Sequence, residues 1–349
     1  MPLEEPGWWY DAGGRIWPRV LAPVGALYGR IVAHRFRRRP LRVGLPVICI
    51  GNFTLGGTGK TPLVRHVVGR LRAFGREPVV LMRGYGGQER GPHWVDAVVD
   101  SARRVGDEPL LLAKEAPVLV ARDRAAGAGV IAARVGPSGV IVMDDGLQNP
   151  ALAKDLSIAV VDGRRLFGNG RVFPAGPLRA DLAFQLGLAD AVVVNQPAGG
   201  ACDADWLARF CARFAKPVLE ARVSPADDAA WLRGRRVLAF AGIGHPARFF
   251  QLLERLGADV VETRAFADHQ LLSEASAGAL LADAVRVGAD LVTTEKDVAR
   301  LAGARGACGV LAARARVLAI RMDFAPQDLE LLDGLLQRAL AAARPTAVR

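Results

Sequence analysis

The sequence predicts an α/β fold, a mostly parallel sheet flanked by helices, with a second smaller α/β domain and an N-terminal amphipathic helix. Three observations predict it. Eight short runs rich in Val and Ile alternate with helical stretches from residue 46 onward, and strands buried on both faces by crossover helices read as uninterrupted apolar runs of this kind. The chain has 349 residues, more than one domain usually takes. With 51% hydrophobic and 23% charged residues it can bury a core, which excludes a disordered or fibrous chain.

The first element is a basic N-terminus. The formal charge of +11 calls for an anionic partner, whether phosphate, nucleic acid or membrane surface. Residues 1–42 carry Arg15, Arg19, Arg30, Arg35, Arg37, Arg38, Arg39 and Arg42 against Glu4, Glu5 and Asp11, with Trp8, Trp9, Tyr10, Trp17 and Tyr28 among them. After Pro23, the apolar residues Val24, Leu27, Tyr28, Ile31 and Val32 recur at helical spacing. An amphipathic helix lying in a membrane interface fits this pattern. A helix packed on the protein's own core, with a solvated Arg tail, fits it too. Only ten uncharged residues separate Arg19 from Arg30, whereas a bilayer span needs about 20. A signal peptide is a poor match, because acids precede the arginines. Cys49, Cys202, Cys211 and Cys308 show no CxxC spacing, so neither a disulfide framework nor a structural zinc is expected.

The expected strands are 47–50, 78–82, 118–120, 140–143, 158–161, 191–194, 237–241 and 291–293. A composition shift over 217–228 is the best linker. The expected division is therefore a membrane-interface segment 1–42, a nucleotide-binding core 43–225 and a C-terminal α/β domain 226–349, fraying beyond about residue 335 into an Ala/Arg tail.

The most specific local signal follows the first strand: Gly51-Asn52-Phe53-Thr54-Leu55-Gly56-Gly57-Thr58-Gly59-Lys60-Thr61, then a helical stretch over 62–71. Phosphate binding needs several backbone N–H groups aimed into one concavity, which glycines permit and a helix N-terminus reinforces. Residues 54–61 are the expected phosphate cradle, Lys60 reaching the β/γ-phosphates and the Thr61 hydroxyl holding Mg²⁺. The strict pattern has Gly where Thr54 stands; the Gly-Lys-Thr end is intact. A P-loop NTPase-type sheet follows from this context. Such a loop also needs a carboxylate on a neighbouring strand, and Asp144 and Asp145 close an apolar run at 140–143. In Gly106-Asp107-Glu108-Pro109, Asp107 suits a helix cap as well as a base or metal ligand at the mouth of the site. Five histidines (34, 66, 93, 245 and 269) do not by themselves single out a catalytic one.

Together these stretches resemble the tetraacyldisaccharide 4′-kinase family, the lipid A 4′-kinases. The matching residues are Gly51–Thr61 with Pro62, Arg83-Gly84-Tyr85-Gly86, Gly106-Asp107-Glu108-Pro109, Asp144-Asp145-Gly146-Leu147-Gln148, Pro174-Ala175-Gly176-Pro177-Leu178-Arg179, Gly242-Ile243, Phe266-Ala267-Asp268-His269 and Thr294-Glu295-Lys296-Asp297, in the family's order. The resemblance implies ATP and Mg²⁺ as cofactors and a lipid substrate, tetraacyldisaccharide 1-phosphate, at the cytoplasmic face of the inner membrane. Nucleic acid has no part in it. It implies Asp107 as the base with His269 as its partner, and Glu108, Asp144 and Asp145 around the metal. Gln148 would lie close to the nucleotide, and an N-terminal helix would contact the membrane. Asn149-Pro150-Ala151 and Ala180 depart from the family's pattern, which commonly has a His with basic residues and an acid at those places.

A second reading is a P-loop ligase or a metallochaperone-type GTPase resembling dethiobiotin synthetase. Such a protein would not need the basic aromatic N-terminus, and Thr294-Glu295-Lys296-Asp297 resembles a guanine-reading signature only superficially, because Asp follows Glu and Lys directly. A nucleic-acid binder, suggested by the charge alone, lacks stacking-aromatic motifs, and nearly half the excess charge sits in the first 42 residues.

Overall fold

The computed structural model describes residues 5–10, 16–197 and 199–342. Glu4, Asp11, Arg15 and the last seven residues of the expected tail lie outside the described residues.

Nine strands form the main sheet: β1 (Val47–Asn52), β2 (Glu77–Met82), β3 (His93–Trp94), β4 (Val118–Val120), β5 (Gly139–Asp144), β6 (Leu156–Asp162), β7 (Ala191–Gln196), β8 (Val218–Pro225) and, much later in the chain, β13 (Ile320–Phe324). Their order is β13-β8-β7-β6-β1-β5-β2-β4-β3. Only the two edges, β13 on β8 and β3 on β4, are antiparallel. The remaining pairs are parallel, and β1, β5, β6 and β7 are buried along their whole length. That double burial is why they appear in the sequence as plain apolar runs. Helices Lys60–Ala73 and Pro326–Ala342 cover one face, where Leu63, Val67, Leu71, Leu332 and Leu336 meet Ile48, Val142 and Val193. The helix Arg124–Arg134 covers the opposite face through Ala128 and Ile131.

A second, wholly parallel sheet holds β9 (Arg236–Ala241), β10 (Asp259–Ala265), β11 (Asp290–Thr294) and β12 (Arg316–Leu318), in the order β10-β9-β11-β12. It builds its own core around Leu238, Phe240, Leu280 and Leu291.

Three sequence expectations change. The segment 217–228 is largely strand, not linker: β8 joins the sheet between β7 and β13, burying Leu219 and Ala221. Its polar alternation disguised it. Of the expected C-terminal unit 226–349, only the part through β12 forms the second sheet, and the chain then returns to the first sheet as β13 and the helix Pro326–Ala342. The fraying placed at about residue 335 is instead packed helix, with Leu335, Leu336 and Ala339 in the core.

The helix Ala22–Arg35 forms as expected, but it docks through Gly25, Gly29 and Val32. Gly25 lies against the carbonyl of Val172, where a Cβ would come within 2.6 Å. Val24, Leu27, Tyr28 and Ile31 face outward, together with Ile16 and Trp17 just before them. The apolar face is thus not the docking face. No helix among the described residues is long and apolar enough to cross a membrane.

Candidate active site

The glycine loop leaves the C-terminal end of β1, at the centre of the sheet and between β5 and β6. Ligands gather at such strand ends in parallel sheets. Thr54–Gly59 run directly into the helix Lys60–Ala73, and Gly59 at its N-cap has φ +96°. A side chain there would also meet the Asn195 amide at 2.6 Å. The loop is braced from outside: Leu55 N–H donates to Pro177 O, and the Arg179 Nε donates to Thr54 O at 3.0 Å. Gly57 has open space before it, whereas a Cβ on Gly56 would collide with the carboxylate of Glu5. Inside the loop, Asn52 Oδ1 and the Thr58 hydroxyl are buried without hydrogen-bond partners.

Asp144 pairs in register with Ile50, so its carboxylate sits beside the root of the loop. Its Oδ1 is buried and has no hydrogen-bond partner among the described residues. Burial, then repulsion from Glu108, pushes this carboxyl up to about 7 against the pull of Lys60. Asp145 follows with φ +50°, a left-handed backbone at a non-glycine residue. It faces Lys60 Nζ at 3.6 Å and Arg179 at 2.9 Å. Burial alone would raise its carboxyl, but the charges of Arg179 and Lys60 hold it well below the usual range.

Asp107 and Glu108 open the helix Asp107–Ala113. Gly106 before them has φ +96°, and its Cα packs so tightly on the Tyr85 carbonyl that a Cβ would come within 2.6 Å. Asp107 does not cap the helix in the usual way; the backbone N–H that its Oδ1 accepts is that of the adjacent Glu108. Its carboxylate instead meets the second sheet unit: His269 Nδ1 lies 3.0 Å from Oδ1, and Arg300 Nε donates to Oδ2 at 2.7 Å. Burial opposes ionisation, yet the His269 hydrogen bond and the Arg300 charge hold the Asp107 carboxyl well below its ordinary value. For His269, burial would depress the imidazole, but Asp107 raises it on balance. The Tyr85 ring stands edge-on to His269 at 5.2 Å. Glu108 is ion-paired with Lys296 and accepts from the Thr61 hydroxyl at 3.4 Å.

Residues far apart in the chain therefore converge: the loop 54–61, the carboxylates 107–108 and 144–145, and the basic groups His269, Lys296 and Arg300 of the second unit. Gln148 stands slightly apart, its amide nitrogen given to Asn52 O at 2.8 Å and to the Gln185 side chain. It supports the stem of the loop. Lys296 and Asp297 are also engaged, Asp297 accepting from Gly242 N–H, so this stretch does not present free groups to a nucleotide base. Arg179, Lys296 and Arg300 join the site without any role that the sequence alone marks. Scarcity was the available signal for Lys296, one of only five lysines.

A model of the family described as tetraacyldisaccharide-1-P 4′-kinase matches residues 17–339. The chain belongs to this family. Among similar proteins, the tetraacyldisaccharide 4′-kinase of Nitrobacter winogradskyi is 54% identical over 300 residues, covering 86% of this chain and 87% of its own. That of Nitrobacter hamburgensis is 48% identical over 344 residues, covering 98% of this chain and all of its own. Among solved structures, LpxK from Aquifex aeolicus, described as an "apo" form in complex with ATP, superposes with a TM-score of 0.71 at 25% identity. The match covers 93% of this chain and 100% of that one.

Among the described residues, no group of three or more His, Cys, Asp or Glu side chains is arranged to hold a metal ion unaided. Mg²⁺ is commonly held by one or two carboxylates plus phosphate oxygens and water. The unpartnered Asp144 Oδ1, with Glu108 and Thr61 close by, fits that mode.

Proposed function

We propose that this kinase transfers the γ-phosphoryl group of ATP to the 4′-hydroxyl of tetraacyldisaccharide 1-phosphate, giving the bis-phosphorylated lipid A precursor, lipid IVA. The observation that carries the reading is the Asp107–His269 pair. Two separate sheet units bring it together one residue from the carboxylate that meets Thr61.

The loop 54–61 would cradle the triphosphate through backbone N–H groups, with Lys60 drawing the transferred group's charge. Thr61, Asp144, Glu108 and Asp145 are the residues that would hold Mg²⁺ and its waters; the ion would neutralise charge on the phosphates. Asp107 Oδ1 would receive the sugar hydroxyl proton and His269 would share it. Phosphoryl transfer passes through a loose transition state in most analyses, so position counts for more than base strength. A carboxylate held low in pKa is then adequate. Sharing the proton requires neutral His269. Because Asp107 raises the imidazole, turnover should fall as pH drops through that raised value.

The outward apolar face Ile16, Trp17, Val24, Leu27 and Ile31, next to Arg30, Arg35, Arg37, Arg38 and Arg39, supports seating in an anionic membrane surface. This fits a lipid acceptor and the cytoplasmic face of the inner membrane. The test is incubation of the purified chain with γ-labelled ATP and disaccharide 1-phosphate. Label on the lipid is expected; ATP consumption with unlabelled lipid would refute the assignment.

A further inference from the structure

We propose that Arg300 is a positioning residue for the transfer step, fixing the plane in which the Asp107 carboxylate meets the acceptor hydroxyl. The inference rests on the reading of Asp107 as the base.

Arg300 comes from the helix Glu295–Leu301 of the second unit, 193 residues beyond Asp107. Its side chain is only 3% exposed. Nε and Nη2 lie 2.7 and 2.6 Å from the same oxygen, Asp107 Oδ2. Nη1, at the other end of the plane, donates to Asp297 Oδ1 at 2.9 Å and Gly242 O at 2.6 Å. Asp297 is itself fixed by Gly242 N–H and by its position in the first turn of a helix capped by Thr294. Gly242 allows this approach, since a Cβ there would stand 2.9 Å from Nη1 and 3.2 Å from Asp297 Oδ1. The guanidinium is therefore held in plane before it touches Asp107.

The consequence falls on the carboxylate. Arg300 holds Oδ2, the Glu108 N–H donates to Oδ1 at 2.9 Å, and His269 Nδ1 straddles the two oxygens at 3.0 and 3.1 Å. Rotation of the carboxylate out of this plane breaks the Arg300 and Glu108 contacts together. A planar fork does this; a point charge on a flexible stem does it poorly. Stability is a weak alternative explanation, because a buried ion pair seldom outperforms apolar packing. An acceptor hydroxyl consequently meets a carboxylate held in one plane beside His269 whenever the two units are docked.

The test compares wild type, D107N, R300M, R300K, R300A and D107N/R300M under saturating lipid. R300M should lose about 100-fold in kcat, the scale of an ångström-sized misplacement, with KM for ATP within about twofold of wild type because nucleotide binding is untouched. R300K should recover part of the rate, and methylguanidinium should restore turnover to R300A. The double variant should be no slower than D107N, since both changes act through one carboxylate. Wild-type kcat in R300M beside an inactive D107N would overturn the positioning role, as would losses that multiply in the double variant. Wild-type kcat in D107N would instead overturn the base reading itself, and this role with it. Should R300M fail to fold, R300Q serves in its place, with the same outcomes.

Discussion

Asp144→Asn separates the two demands placed on the loop's neighbouring carboxylate. In the nucleotide-free protein this carboxyl is buried, with one oxygen unpartnered, and is raised from 3.8 to about 7. The difference of roughly 3 pH units corresponds to about 4 kcal/mol against ionisation at about 1.4 kcal/mol per unit. In the unfolded chain the group ionises near 3.8. Between 3.8 and 7 the unfolded state thus binds fewer protons than the folded one, and stability falls as pH rises through this window. Above pH 7 the whole cost is present; below 3.8 it is absent. Asparagine cannot ionise, so the variant escapes the cost. At pH 8 without nucleotide, Asp144→Asn should melt about 4–8 °C above wild type, and the gap should close toward pH 4. Kinase activity should collapse in the same variant. Added Mg²⁺ and ATP should raise the wild-type melting point more than the variant's. The assay is a thermal-unfolding series from pH 4 to 8, with and without nucleotide. A variant that melts below wild type at pH 8, or a gap that does not change with pH, would refute the reasoning.

Lys60→Ala should weaken ATP binding and reduce kcat together, by about 10²–10³ in rate, measured by nucleotide titration and steady-state kinetics; unchanged constants would remove Lys60 from the mechanism. His245, partly buried and pushed down to about 4 mainly by desolvation and then by Arg165 and Arg248, stays neutral in the fold while its unfolded form charges near 6.5. It therefore costs stability as pH falls from 6.5 to 4, by at most about 3 kcal/mol; His245→Gln should flatten that part of a stability–pH curve, and an identical acid limb would show that other groups cause it. Replacing Val24, Leu27 and Ile31 with Asp should cut partition onto anionic vesicles by at least about 100-fold while leaving the unfolding midpoint nearly unchanged; undiminished flotation with vesicles would exclude this face.

The sequence made the parallel core and the glycine loop legible for one reason: both are local. A doubly buried strand announces itself in four or five residues, and the loop requires glycines at adjacent positions. The strands that escaped notice carry alternating polar residues because they lie near an edge or in a thinner sheet. In β8, Glu220 and Arg222 alternate with buried Leu219 and Ala221, and β10 has no buried residue at all. The return of β13 to the first sheet could not be read, since nothing within Ile320–Phe324 records that its partner is β8. The site was legible in the same uneven way. Asp107, Glu108, Asp144 and Asp145 stand in recognisable turns; of the partners that set their charge states, Arg179 and Lys296 lie in stretches that carry the family resemblance but reveal no partner by themselves, and Arg300 lies outside every such stretch.

One of those partners, Arg179, lies in the segment that connects the N-terminal helix with the phosphate site. The helix Ala22–Arg35 rests on residues 172–181, with Gly25 against the Val172 carbonyl, Tyr28 edge-on to Phe173 at 5.9 Å and Gly29 against the Asp181 backbone. Within the same segment, Leu178 forms a bridge with Thr54 of the glycine loop, and Arg179 reaches both the Thr54 carbonyl and the Asp145 carboxylate. A single short stretch thus touches the outward-facing helix on one side and the nucleotide cradle on the other. On the proposed membrane seating, an acceptor that never leaves the bilayer need not diffuse to a remote cleft. The segment holding the helix also holds the loop, so anchoring the helix places the cradle at a fixed height above the lipid. Loosening the docking at Gly25, where any side chain must displace the Val172 carbonyl, would then reduce turnover on lipid acceptor more than it reduces ATP binding.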